Sequence, residues 1–134
     1  MKIPVAFLAD EANISQDGKL NVLGIFDRIA AGTFPTVHPK MVFAFRVHAE
    51  FADAGQTFAV RVRLMDEDGG VIFEANGEIV APGVGPGEFS TANQIFTLVG
   101  VQFGQPGIYK FVVTADELEL HETPFIVAKV NGGG

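Results

Sequence analysis

Apolar and polar residues alternate with a period of two along much of this chain, most clearly over residues 41–51. The apolar side of that segment carries Met41, Phe43, Phe45, Val47, Ala49 and Phe51. The polar side carries Arg46, His48 and Glu50. A helix would scatter the six apolar residues around its circumference, whereas a strand places them all on one face. The pattern therefore predicts a β-strand with one buried face.

The same alternation recurs over residues 58–64 and 71–79 and predicts two further strands. The segments between the three strands, ADAGQ and DEDGG, are rich in turn-forming residues. Three consecutive strands with short turns are typical of an antiparallel meander. We therefore expect these three strands to be neighbours in one sheet.

Five more segments have strand-like patterns, at residues 3–11, 20–29, 94–103, 108–115 and 118–130. Two longer loops, residues 30–40 and 81–92, contain prolines and glycines and look like crossovers between sheets. Eight short strands with crossovers favour a two-sheet sandwich over a barrel built only of hairpins. We predict an all-β antiparallel sandwich forming a single domain over residues 1–130, followed by a flexible glycine-rich tail at 131–134.

The composition narrows the classes of function. The chain has no cysteine, which excludes disulfides and thiolate metal sites and fits a reducing compartment, so we expect a cytoplasmic protein. The net charge of -7 disfavours nucleic-acid binding, which depends on cationic contacts to phosphate. It also disfavours docking on anionic membranes. We therefore expect a protein partner, with no nucleic acid and no membrane.

Two predicted strands carry apolar residues on both faces, although a two-layer sandwich covers only one. Over residues 95–101, Phe96 and Leu98 fall on the side opposite Val99. The other two-sided stretch is residues 22–29. The second face is covered either by a loop such as 81–92 or by another molecule. Phe96 and Leu98 are therefore our apolar candidates for self-association.

Four basic or ionisable side chains are expected to gather on the outer face of the meander. Tight hairpins would place Arg46 near Arg63 and His48 near Arg61. These side chains either form a cross-strand charge ladder, at roughly 0.2–1 kcal/mol per pair, or bind an acidic partner or neighbouring subunit. We favour the ladder, because glutamates on the next strand neutralise much of the charge.

Residue sets for metal binding and catalysis are sparse, so we expect no metal, no cofactor and no catalytic residue. The acidic turn Asp66–Asp68 offers three carboxylates, but such hairpin tips are usually solvated turns. The enzymatic alternative is a site assembled from loops, using Asp27, Arg28 and His38. It requires a pocket that holds those three groups together.

Several stretches resemble a family of uncharacterised bacterial β-sandwich proteins, classed as a domain of unknown function. They are ADEANISQDGKLNVLGIFDRI, FPTVHP and PGIYKFVV. The resemblance implies a small β-sandwich from bacteria or their phages and supplies no activity or catalytic residues. The Pro-Gly-x-Tyr start of PGIYKFVV is also similar to the last hairpin of immunoglobulin-like modules. Together with the strand pattern, this predicts an immunoglobulin-like β-sandwich of about eight strands.

Our leading hypothesis is a non-enzymatic structural or protein-interaction module that forms homo-oligomers through strand edges and the two-sided strands. A small-ligand or carbohydrate-binding sandwich is the second hypothesis. The chain has no tryptophan and one tyrosine, so it offers few of the aromatic platforms that sugars need. An enzyme with a loop-assembled site is the third.

Overall fold

The computed structural model describes residues 1–130, which form nine strands and one 3-10 turn. The strands are β1 Lys2–Ile14, β2 Leu20–Ile25, β3 Arg28–Ala31, β4 Thr36–Glu50, β5 Thr57–Met65, β6 Val71–Val80, β7 Phe89–Phe103, β8 Gly107–Ala115 and β9 Leu118–Lys129. The 3-10 turn is Phe51–Asp53. The tail at 131–134, predicted to be flexible, lies outside the described residues.

The strands form two packed sheets, so the predicted all-β sandwich is confirmed. The first sheet has four strands in the order β2-β1-β4-β7, and the second has five in the order β3-β9-β8-β5-β6. Neighbouring strands are antiparallel except β3 and β9, which run parallel from Arg28 opposite Ile126 to Ala31 opposite Lys129.

Phenylalanine rings fill the space between the sheets. Phe43 of β4 stacks on Phe111 of β8 with ring centroids 4.4 Å apart, which ties one sheet to the other. The fully buried rings are Phe43, Phe45, Phe103, Phe111 and Phe125. The strand predicted for residues 41–51 is present, but only residues 46–50 have a single buried face, because Val42 and Ala44 on the outer side are buried as well. Phe51, predicted to point inward, is 52% exposed because β4 ends at Glu50.

The predicted meander is wrong. Only its second half, the β5–β6 hairpin, is present, with Arg63 opposite Glu74. β4 lies in the other sheet, between β1 and β7. The turn at Phe51–Asp53 carries the chain from one sheet to the other. Alternation shows that a strand has a buried face, but it does not identify the neighbouring strand.

The predicted strand at residues 20–29 is two strands in different sheets. The Phe26 N–H donates to the Leu8 carbonyl of β1 at 2.9 Å, whereas the Asp27 carbonyl accepts from the Ile126 N–H of β9 at 2.8 Å. The chain therefore changes sheets between Phe26 and Asp27. Just before this point Gly24 has a φ of +75°, a conformation that favours glycine. This split is why the sandwich has nine strands rather than eight.

Both predicted crossovers connect the two sheets, although strands occupy part of each. β3 and β4 leave only residues 32–35 between them, and β6 and β7 leave residues 81–88. Each segment leads from the five-stranded sheet to the four-stranded one.

Candidate functional site

The four predicted surface residues do not form one patch. Arg46 and His48 lie on the outer face of the four-stranded sheet, because they alternate with buried residues of β4. Arg61 and Arg63 alternate with buried residues of β5 and lie on the outer face of the five-stranded sheet. The pairings predicted between Arg46 and Arg63, and between His48 and Arg61, are wrong because β4 and β5 belong to different sheets.

Arg61 and Arg63 form a cross-strand ladder with β6. The Arg61 Nε lies 2.9 Å from Glu74 Oε1 and also donates to Asn76 Oδ1 at 3.0 Å. The Arg63 Nε lies 3.9 Å from the same Glu74 oxygen. These partly exposed ion pairs each contribute about 0–1 kcal/mol. The two arginines are therefore engaged within the sheet.

Arg46 connects two distant parts of the four-stranded sheet through Asn93 of β7. The Arg46 Nε donates to Asn93 Oδ1 at 3.2 Å, and Asn93 Nδ2 donates to the Gly18 carbonyl at 3.0 Å. Gly18 lies at the tip of the β1–β2 hairpin. The side chain of Asn93 therefore links the hairpin tip to the far edge of the sheet.

The β1–β2 hairpin folds back over the outer face of its own sheet. The pairing of β1 with β4 ends at Ala9 opposite Val42. If the hairpin continued in the plane of the sheet, its tip would lie far from Arg46. The contact between Gly18 and Asn93, which lies opposite Arg46, requires the hairpin to reverse over the sheet. Ala9, Val42 and the nearby Ala44 are at most 2% exposed. The outer face of β4 is thus partly covered by this hairpin.

Phe96 and Leu98 point toward the core, contrary to their predicted role as contact residues. Leu98 is 2% exposed and belongs to the core, and Phe96 stacks on Phe45 at 5.8 Å. The outer side of β7 instead presents Thr97 and Val99, of which Val99 is 77% exposed. Residues 95–99 therefore have two sides, as predicted, but Phe96 and Leu98 lie on the side that faces the core.

β7 is a long edge strand without the usual protection against pairing. Among residues 1–130 no strand lies on its side opposite β4. Its sequence, FSTANQIFTLVGVQF, contains no charged residue and no proline. Natural edge strands are commonly protected by charges, prolines or bulges. The edge at β6, by comparison, carries Glu74 and Glu78.

A cleft of about 220 Å³ lies where β4 ends and β7 begins. We call it the aromatic cleft and define it by His48, Glu50, Phe51, Glu88 and Phe89. Of these five only His48 was singled out from the sequence. Phe51 and Phe89 were missed, because the alternation predicted Phe51 to be buried and Phe89 fell in the predicted crossover at residues 81–92.

The three residues of the enzymatic alternative do not share one pocket. Arg28 and His38 line a cleft of about 370 Å³ together with Asp10. Asp27 lines a neighbouring cleft of about 320 Å³, which Arg28 also borders. The His38 ring lies 5.9 Å from the Phe26 ring.

The acidic turn at Asp66–Asp68 uses its first carboxylate to hold its own backbone. Asp66 Oδ1 accepts hydrogen bonds from the N–H groups of Asp68 and Gly70, at 3.0 and 2.7 Å. Within the described part of the chain, no three histidine, aspartate or glutamate side chains are grouped to hold a metal ion. The same residues include no helix with the length and apolarity to span a bilayer.

Comparisons with known proteins identify a family and distant structural likenesses. The model of a family of unknown function (DUF6941) matches residues 4–128. An immunoglobulin-like protein from Pseudomonas aeruginosa is 13% identical, with a TM-score of 0.40 and 94% of each chain covered. The alkylpurine DNA glycosylase AlkC of Pseudomonas fluorescens, bound to DNA containing an abasic site analog, is 15% identical with a TM-score of 0.44. That match covers 75% of this chain and only 27% of the glycosylase chain. A search of curated proteins gave no match.

Proposed function

The chain belongs to the family of unknown function DUF6941, and we propose that it is a non-enzymatic protein-interaction module that associates with a second copy of itself through the edge of β7. The observation that carries this proposal is the edge itself. Fifteen residues of strand offer unpaired backbone groups with no charge or proline to prevent pairing.

Backbone geometry supports pairing along most of β7. The strand keeps a continuous register with β4 from Glu50 opposite Phe89 to Thr36 opposite Phe103. Gly100, with a φ of +68°, lies close to one end and leaves residues 89–99 regular. A regular strand of this length presents a row of N–H and C=O groups to a partner strand.

A second copy of the chain is the partner that best matches this edge. An antiparallel strand pairs with itself across a two-fold axis, which is the commonest symmetry of soluble dimers. Each chain carries a net charge of -7, so most surfaces of two copies repel each other. β7 is the longest uncharged edge, and two copies meet there without direct contact between like charges. The pairing would join two four-stranded sheets into one and bring exposed Val99 side chains toward the partner.

Size-exclusion chromatography with light scattering tests this proposal. We expect the wild type to be a dimer at high micromolar concentration and the Val99→Lys variant to be a monomer, because a lysine on an edge strand opposes pairing. Leu118→Lys is the matched control, since Leu118 is 69% exposed in the β8–β9 hairpin and Val99 is 77% exposed. A monomeric wild type would refute the proposal, and so would a Val99→Lys variant that stays dimeric.

A further inference from the structure

The aromatic cleft combines two rings that are unusually exposed. Phe51 is 52% exposed and Phe89 is 61% exposed, whereas five other phenylalanines are fully buried in the core. The His48 ring stacks on Phe89 with centroids 4.5 Å apart and an interplanar angle of 21°. This stacking holds the Phe89 ring against β4 while the rest of its surface borders the cleft.

The charged groups at the aromatic cleft are mainly negative. Glu50 and Glu88 both line it. Two cationic or ionisable groups approach Glu50, but at long range: Lys2 Nζ lies 3.7 Å from its carboxylate and His48 Nε2 lies 3.9 Å away. The Lys2 side chain is 73% exposed, so this ion pair is weak and easily exchanged. No cationic group among the described residues contacts Glu88.

Aromatic faces and carboxylates together favour one chemical class of ligand. The face of an aromatic ring is electronegative and attracts ammonium and guanidinium groups. The two carboxylates strengthen that attraction and repel anions. A purely apolar ligand would strip water from the carboxylates without compensating them. The combination therefore selects a cation that also has an apolar stem.

We propose that the aromatic cleft binds the side-chain cation of a lysine or arginine from a partner protein. A volume of about 220 Å³ accommodates one such side chain and lies below the usual range of small-molecule pockets. The cleft is formed within a single chain, so this inference does not depend on pairing through β7. It gives the protein a second, charge-selective contact at the end of that strand.

Nuclear magnetic resonance titration with blocked peptides tests the inference. The probe is Gly-Gly-Lys-Gly-Gly, and the control peptide carries glutamate in place of lysine. We expect the lysine peptide to shift the amide signals of Gly87 and Phe89 in a saturable way, with a dissociation constant in the millimolar range. Raising the ionic strength from about 0.02 to about 0.5 M should weaken binding several-fold, because salt screens the carboxylates.

Variants locate the binding to the cleft. Phe89→Ala should weaken binding about fivefold or more and Glu88→Gln about threefold, since they remove one aromatic face and one charge. Leu118→Ala is the matched control and should bind like the wild type. Equal shifts with the glutamate peptide, no saturable shift, or wild-type binding by Phe89→Ala would overturn the inference. Repeating the titration on Val99→Lys separates the two proposals, because the cleft should bind the lysine peptide whether or not the chain dimerises.

Discussion

Tyr109 shows how burial changes the chemistry of a single side chain. It is 4% exposed, lies edge-on to Phe103 at 4.9 Å, and donates its hydroxyl hydrogen to the Gln105 carbonyl at 2.6 Å. Burial raises the pKa of the Tyr109 phenol, and the negative charges of Asp66 and Glu67 add to the increase. The folded protein therefore holds the phenol proton more tightly than the unfolded chain does.

This raised pKa predicts a loss of stability in alkali. The contribution of Tyr109 to the free energy of unfolding is complete below the ordinary tyrosine pKa of about 10 and is lost as the pH rises through the raised value. Tyr109 is the only tyrosine and the chain has no tryptophan, so tyrosinate absorbance reports on this one group. We expect its titration midpoint in the native protein to lie above that of the denatured protein. Equal midpoints would contradict the assignment.

Tyr109→Phe is the control for this titration, because it keeps the ring and removes the hydroxyl. At neutral pH the variant should lose about 0.5–1.5 kcal/mol of stability with the hydrogen bond to Gln105. In alkali its stability should fall less steeply than that of the wild type, as measured by urea denaturation. A variant with the same alkaline decline would show that another group causes it.

Among the structural elements, the folded-back β1–β2 hairpin depends on a contact that joins residues far apart in sequence. We expect Asn93→Ala to release the hairpin tip, since it removes the partners of both Arg46 and the Gly18 carbonyl. Amide hydrogen exchange of Leu20–Ile25 should become faster, and stability should fall by about 1 kcal/mol.

Asn21→Ala is the matched control for the hairpin contact. Asn21 Nδ2 donates to Asn13 Oδ1 at 3.0 Å, so this exposed hydrogen bond lies entirely within the hairpin. Loss of this hydrogen bond should leave amide hydrogen exchange at the outer-face residues Val42 and Ala44 as slow as in the wild type. If Asn93→Ala and Asn21→Ala gave the same exchange pattern, the link across the sheet would have no specific role.

Most strand positions and the β5–β6 hairpin could be predicted from the sequence, but the points where the chain changes sheets could not. The alternation from Met41 to Glu50 identified a buried face correctly, because one strand alone determines its own period. The partner of β4 depends on the turn at Phe51–Asp53, which leads into the other sheet. Likewise nothing in the pattern of residues 20–29 showed that hydrogen bonding passes from Leu8 to Ile126 between Phe26 and Asp27.

At the scale of the whole molecule, stability depends on rings that join the two sheets. Phe43→Ala removes the ring that stacks on Phe111 across the interior and should cost about 3–5 kcal/mol in the free energy of unfolding. Phe89→Ala, the same substitution at an exposed position, should change it by less than about 0.5 kcal/mol. Chemical denaturation measures both. Comparable losses would show that exposed rings contribute as much as the interlayer ones.

The candidate site was only partly predictable from the sequence, because it too depends on which strands become neighbours. Residues 95–101 indicated a strand with two apolar faces, but the inward position of Phe96 depends on its pairing with Phe43. The aromatic cleft joins the end of β4 to a crossover loop, two segments that are distant in sequence. A contact of that kind is determined by the complete sandwich and leaves no signal in either segment alone.

The parallel pairing of β3 with β9 affects how the protein is made. β3 belongs to the first third of the chain, yet within residues 1–130 it pairs with no strand but β9. A ribosome therefore releases Arg28–Ala31 long before β9 exists, and β3 must wait unpaired while everything between them is translated. During that interval the unpaired β3 is an extra exposed strand edge on the nascent chain. A chaperone would be most useful at this stage of synthesis.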